Sequence, residues 1–240
     1  ENRKHKIEYK LLKGKDKEKD QSYFLWQLNQ KQLSRVLFPV GGYTKAEVRK
    51  LAKKFKLPTA ETPESMEVCF VQDNTNSFLK KYLKSKPGKI IDVKGKVLGE
   101  HNGLWFYTIG QRRGLEIPQG PYYVVDKDFK QNTLVVSLGR SPLAVAKLAR
   151  PTGEPKIPKE LERKELVADD VNWISGRAPK LPLKVKVKIR YKSNFADALI
   201  RANKGVGVKI IFTKPQRAIT PGQSAVFYDG EQLLGGGVIK

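Results

Sequence analysis

The 240 residues carry 47 Lys and Arg against 24 Asp and Glu, a formal net charge of +23, with 39% hydrophobic residues. The length suits one to two domains with packed cores, and no apolar run approaches the ~18 residues of a membrane span. A secretory signal is also missing, so a cytoplasmic protein that meets a polyanion is expected. Nucleic acid is favoured over a membrane surface, because no amphipathic helix with large apolar anchors accompanies the lysines. For any single lysine the plain reading is a solvated surface. Cys69 is the one cysteine, which excludes an internal disulfide and points to a reducing compartment. The chain opens on Glu1 and reads as the C-terminal piece of something longer.

Residues 1–19 read as a short strand followed by a basic loop around Gly14, with Lys13, Lys15, Lys17 and Lys19 clustered there. Between Asp20 and Val36 the apolar residues Phe24, Leu25, Leu28, Leu33 and Val36 suit helical packing. Thr44 and Glu47 form a capping box for a helix whose apolar face is Val48, Leu51, Ala52 and Phe55, and Pro58 stops it. That face is expected to pack on a sheet that the chain does not contain. A short helix is predicted over residues 76–83, then a hairpin in which residues 90–93 and 96–98 flank Lys94-Gly95.

From Pro121 onward strands dominate. Residues 122–125 pair with 133–136, and Leu183, Val185, Val187, Ile189 and Tyr191 alternate with Lys184, Lys186, Lys188 and Arg190. Strands over 206–212 and 224–228 follow, and Asp229-Gly230 turns the chain into the last one. Short strands at this spacing predict a small barrel. The Pro-rich residues 151–158 are a loop within this region, and there is no internal repeat.

Candidate chemistry is sparse. A lone Cys69 between Val68 and Phe70 reads from residue types alone as a small buried side chain or a reactive thiol, the former being commoner. No Cys-x-x-Cys exists and His5 and His101 are far apart, so no metal site is expected. Gly235-Gly236-Gly237 has no helix after it and does not make a phosphate loop. Thr108-Ile109-Gly110-Gln111-Arg112-Arg113-Gly114 is a basic turn in which Gln111, Arg112 and Arg113 offer donors to phosphates or base edges. Lys184, Lys186 and Lys188 with Arg190 form a cationic strand face without an intervening acid, a second candidate RNA contact.

Several segments occur in a familiar order: Lys19-Asp20-Gln21-Ser22-Tyr23-Phe24-Leu25, Leu37-Phe38-Pro39, the Cys69 segment, Tyr107-Thr108-Ile109-Gly110-Gln111-Arg112 with Gly114-Leu115, Ile189-Arg190-Tyr191, and Pro221-Gly222-Gln223-Ser224-Ala225-Val226. Over nearly all of residues 9–240 the chain resembles the C-terminal two-thirds of the bacterial tRNA-specific 2-thiouridylases. The resemblance implies ATP- and Mg-dependent thiolation of the wobble uridine, position 34, of Lys, Glu and Gln tRNAs. In that family an ATP-pyrophosphatase domain with a Ser-Gly-Gly-x-Asp-Ser loop activates the uridine. Sulfur from a relay protein or cysteine desulfurase then passes through two cysteines. The persulfide-bearing cysteine of the family matches Cys69. Its tRNA contacts match Lys19, Asp20, Gln21, Arg190, Tyr191 and Gln223.

The implied architecture is α+β. Residues 1–75 would be the helical remnant of an α/β ATP-pyrophosphatase domain, 76–120 a small central domain, and 121–240 an elongation-factor-like β-barrel that binds tRNA. The chain shows neither the ATP loop nor the first cysteine, so the isolated chain is expected to be inactive, because an unactivated carbonyl oxygen leaves poorly. The alternative is a non-catalytic tRNA- or RNA-binding module with an idle cysteine.

Overall fold

A computed structural model describes residues 7–62, 75–139 and 158–240. In chain order these form β1 (Leu11–Leu12), a 3-10 turn (Ser22–Leu25), α1 (Gln30–Leu33) and α2 (Lys45–Lys54). After these come α3 (Thr75–Tyr82), β2 (Gly88–Asp92), β3 (Val97–His101), β4 (Tyr122–Asp128) and β5 (Thr133–Leu138). The last strands are β6 (Glu162–Trp173), β7 (Leu183–Lys188), β8 (Ala196–Ala202), β9 (Val208–Arg217), β10 (Ser224–Asp229) and β11 (Gln232–Ile239). The chain divides into two compact units. The first joins the N-terminal segment to Lys164–Pro215 and Pro221–Lys240, and the second holds the residues between them to Arg163, with Gln216–Thr220.

The first unit is a closed barrel. Strand order is β11-β10-β7-β8-β9-β6, and β11 also pairs with β6, which closes the ring of six. The alternation in β7 works as read: Val185 and Val187 are buried while Lys184 and Lys186 are exposed. β10 breaks that alternation, with Ala225, Val226, Phe227 and Tyr228 all buried. Its second face is covered by the N-terminal segment, where Leu11, Tyr23, Trp26 and Leu33 join Val226, Tyr228, Leu233 and Ile174 in one cluster. β1 adds to the start of β11, Leu11 facing Leu233. Close approach here depends on glycine: a Cβ on Gly236 would lie 2.9 Å from Trp26 Cγ.

Residues 20–36 do not form one helix. The chain turns at Trp26-Gln27, and Asn29 starts α1 with its own capping box, its side chain accepting from Gln32 N at 3.0 Å. α2 is capped by Thr44 and Glu47 as predicted, Thr44 N donating to Glu47 Oε2 at 2.6 Å. Thr44 and then Lys15, 2.9 Å away, hold the Glu47 carboxyl down to about 2. Polar contacts therefore anchor this helix, since none of its residues is buried and the adjoining Phe55 is 63% exposed.

The second unit is a four-stranded sheet of order β3-β2-β5-β4. The sequence reading assigned residues from 121 onward to the barrel, yet β4 and β5 pair with each other and β5 runs parallel to β2, Ile90 facing Leu134. Its core is Ile90, Leu104, Leu115, Val124, Leu134 and Val136. Buried His101 receives a hydrogen bond at Nδ1 from Gly103 N, 3.0 Å. The proton is thereby placed on Nε2, which donates to Asn132 O at 3.1 Å. Burial lowers its pKa below the ordinary 6.5, against a smaller opposite effect of the Asn132 bond. The unfolded chain then binds a proton first, so stability is full above pH 6.5 and falls as pH drops toward the folded pKa. Thermal unfolding between pH 7.5 and 5 should show this loss, and His101→Gln should flatten it.

Candidate nucleic-acid interface

The segments that the sequence reading singled out on either side of the chain meet on the barrel unit. Lys19 and Gln21 are exposed, on the loop that leads into the 3-10 turn. Asp20 lies between them but faces its own loop: Oδ1 accepts from Gly14 N and Ser22 N, each at 3.0 Å, and Oδ2 from Ser22 Oγ at 2.9 Å. The Ser22 hydroxyl is in turn 3.1 Å from Tyr228 Oη. Burial pushes the Tyr228 phenol up to about 12, so its hydroxyl stays protonated and stays within this chain of bonds.

Gln21 Nε2 donates to Tyr191 Oη at 2.7 Å, across 170 residues of sequence. Tyr191 lies just beyond β7, in a turn closed by Ser193, whose N donates to Arg190 O at 3.1 Å and whose Oγ does so at 2.9 Å. Lys188 Nζ donates to Tyr191 O at 2.9 Å and lies 4.9 Å from the Phe195 ring centre. Burial lowers the Lys188 pKa. Arg190 is half-buried, and its charge favours the ionised form of the nearby Tyr23 phenol, although burial outweighs this and raises that group overall. The rings of Tyr23 and Phe24 meet edge to face at 5.2 Å, and Phe24 lies 4.9 Å from Tyr191. Gln223 joins through its neighbour: Tyr23 Oη donates to Ser224 O at 2.9 Å and Trp26 Nε1 to Ser224 Oγ at 3.0 Å.

Other candidates fare differently. Lys186 is paired with Asp197 at 2.7 Å and Lys188 is engaged with Tyr191, so the β7 face is not the unbroken row of unmatched cations that its alternation suggested. Lys184 is exposed. In the second unit Gln111 uses both ends of its amide inside its own turn, accepting from Thr108 N at 3.0 Å and donating to Arg113 O at 2.9 Å. Gly110 and Gly114 take φ of +85° and +73° there, leaving Arg112 and Arg113 exposed. Cys69 lies outside the described residues.

Sequence reasoning saw Lys13 only as one of a basic cluster and missed its contacts: Nζ donates to Gly230 O at 2.6 Å and sits 4.2 Å from the Phe195 ring centre. No local pattern points to a partner 182 residues away. It also passed over Phe24 as a helix-face residue, whereas its ring is 57% exposed. Gly235 to Gly237 form no phosphate cradle: they are strand residues packed on Asn172, Trp26 and Asp169. Nor do these residues contain a cluster of three His, Cys, Asp or Glu that could hold a metal ion. No described helix is long and apolar enough to cross a membrane.

Comparison with known proteins covers the chain in three successive segments. Residues 1–73 match the tRNA methyl transferase HUP domain, 76–138 the tRNA methyl transferase PRC-barrel domain and 163–239 the aminomethyltransferase beta-barrel domain. A tRNA-specific 2-thiouridylase MnmA 2 of Thermoanaerobacter sp. (strain X514) is 45% identical over 236 residues, 97% of this chain and 60% of the relative. The MnmA of Halothermothrix orenii is 45% identical over 234 residues, 96% of this chain and 60% of its own length. That of Aeromonas salmonicida is 41% identical over 238 residues, again 96% and 60%. The chain thus spans about three-fifths of the curated relatives it matches. Over that span it is similar to tRNA-specific 2-thiouridylases along nearly its whole length.

Proposed function

We propose that this chain is the tRNA-gripping and sulfur-carrying part of a tRNA-uridine 2-sulfurtransferase. The observation that carries the reading is the 2.7 Å bond from Gln21 to Tyr191, which joins the two family tRNA-contact segments into one surface. Lys19, Gln21, Arg190, Tyr191 and Gln223 then present cations, amides and a phenol together, a donor set suited to phosphates and base edges. Asp20 serves the same surface from within, holding the loop rather than touching RNA. Exposed Lys184, Arg112 and Arg113 add non-specific attraction.

In this reading Cys69 carries the sulfane sulfur as a persulfide, loaded in the cytoplasm by a cysteine desulfurase or a relay protein. The acceptor is C2 of uridine 34 in the Lys, Glu and Gln tRNAs. ATP chemistry is assigned to none of the described residues. The glycine run is packed into a strand.

Titration of tRNA against the chain over a range of salt tests the binding half. Neutralising about six phosphates gives a log–log slope of about −5. A flat salt dependence, or no binding at low salt, would remove this reading.

A further inference from the structure

Phe24 is a large aromatic side chain left 57% exposed on the segment that carries Lys19 and Gln21. It does not stand alone. Its ring centre is 4.9 Å from that of Tyr191 with the planes inclined by 38°, and 5.2 Å from buried Tyr23, edge to face. Both neighbours are fixed. Tyr23 Oη is held by Ser224 O at 2.9 Å, and Tyr191 is held at both ends, its hydroxyl by Gln21 Nε2 at 2.7 Å and its carbonyl by Lys188 Nζ at 2.9 Å. Backbone freedom is limited too, because Phe24 N donates to Gln21 O at 3.0 Å inside the 3-10 turn.

We propose that Phe24 and Tyr191 form a rigid platform on which one unpaired nucleobase of a bound RNA stacks. The inference rests on the reading that this surface binds RNA. Aromatic rings held in place before binding lose little entropy when a flat ring lands on them, and every base offers a π face. An apolar protein segment would be a poor occupant of the same place, because Lys19 and Gln21 precede Phe24 on its own loop, Gln21 is bonded to Tyr191 and Arg190 is next to Tyr191 in the chain, so charge and amide accompany the two rings. A nucleotide needs that combination, a ring to stack on with cations beside it for its phosphate. Lys188 braces the platform without meeting the RNA, since its ammonium is turned onto the Tyr191 carbonyl.

The test uses the 240-residue chain with a hairpin RNA bearing an unpaired loop, the same hairpin made abasic at one loop position at a time, and a fully paired duplex. Phe24→Ala should weaken hairpin binding about tenfold, within the range of one lost base stack, and leave the salt slope unchanged. Phe24→Trp should restore it. One abasic position should weaken wild-type binding to the same degree and be indifferent to Phe24→Ala, because both changes remove the same contact. Thermal unfolding of Phe24→Ala should match the unsubstituted chain, its ring being mostly in solvent. Unchanged affinity in Phe24→Ala overturns the platform while leaving salt-dependent RNA binding in place. Equal losses for hairpin, every abasic hairpin and duplex overturn it as well. A longer protein destabilised by Phe24→Ala with RNA affinity intact would assign the ring to a protein contact instead. An unsubstituted chain that binds none of the three RNAs removes the broader reading and the platform with it.

Discussion

Trp26→Ala is expected to destabilise the barrel unit by about 3–5 kcal/mol, the range for truncating a fully packed large aromatic. Trp26 is only 4% exposed and rests on Gly236, where no side chain competes for the space. Removing the ring opens a cavity at the face of β10 and β11 and leaves Ser224 Oγ without the indole donor 3.0 Å away. The carbonyls of Trp26 and Leu28 accept from Asn172 Nδ2 at 2.7 and 3.0 Å, so the loosened segment would also strain contacts made by β6. Gln30 extends the same seam, donating to Ile174 O at 2.6 Å. Urea unfolding followed by fluorescence and circular dichroism measures the change. Phe24→Ala, two residues earlier, should fall within about 0.5 kcal/mol of the starting protein, as exposed positions do. A loss below about 1 kcal/mol for Trp26→Ala would mean that the N-terminal segment merely leans on the barrel.

Cys69→Ser is expected to abolish 2-thiouridine formation in a protein that joins this chain to an ATP-pyrophosphatase segment, with RNA affinity unchanged. A serine hydroxyl cannot carry a sulfane sulfur, whereas a thiolate attacks the outer sulfur of a persulfide donor, breaks the donor's S–S bond, releases the donor thiolate and keeps that sulfur as Cys–S–SH. A thiol with an ordinary pKa of about 8.5 is mostly protonated at neutral pH, and Glu61, Glu64 and Glu67 precede Cys69 in sequence. One of these charges is already answered: Glu61 pairs with Lys53 at 2.9 Å, which lowers the carboxyl's pKa. Incubation with a cysteine desulfurase and labelled cysteine, followed by mass spectrometry, should place one added sulfur on Cys69 and none on the serine variant. Normal thiolation by Cys69→Ser would make this thiol idle and leave an RNA-binding module.

Local patterns carried the elements whose signal is local. Thr44 with Glu47 announced α2, Lys94-Gly95 the turn of the β2–β3 hairpin, and the Lys–Val alternation β7. What failed was pairing at a distance. Nothing within residues 121–138 says that β5 will lie parallel to β2, and that one pairing moves two strands from the barrel into another sheet. Apolar residues at helical spacing over 20–36 misled because only Leu25, Leu28 and Leu33 pack on the cluster with β10 and β11, which a short turn and one helical turn achieve, while Phe24 and Val36 stay exposed. Polar side chains were the hardest to place. Gln111 and Asp20 look available in sequence, yet both are bonded within their own loops, while Lys13 and Phe24 stand out only once Phe195 and Tyr191 are beside them.

The seam between the two ends of the chain has a temporal side. Ser22 meets Tyr228 across 206 residues, and Trp26 meets Ser224 across 198. A ribosome adding about 5–20 residues per second needs roughly 10–40 seconds to make that stretch. Throughout that interval Tyr23, Trp26 and Leu33 have no β10 or β11 to cover them, and the intervening sheet unit is made meanwhile. Nascent chains halted short of residue 224 should therefore bind hydrophobic-segment chaperones through residues 22–33, and chains released after residue 240 should not.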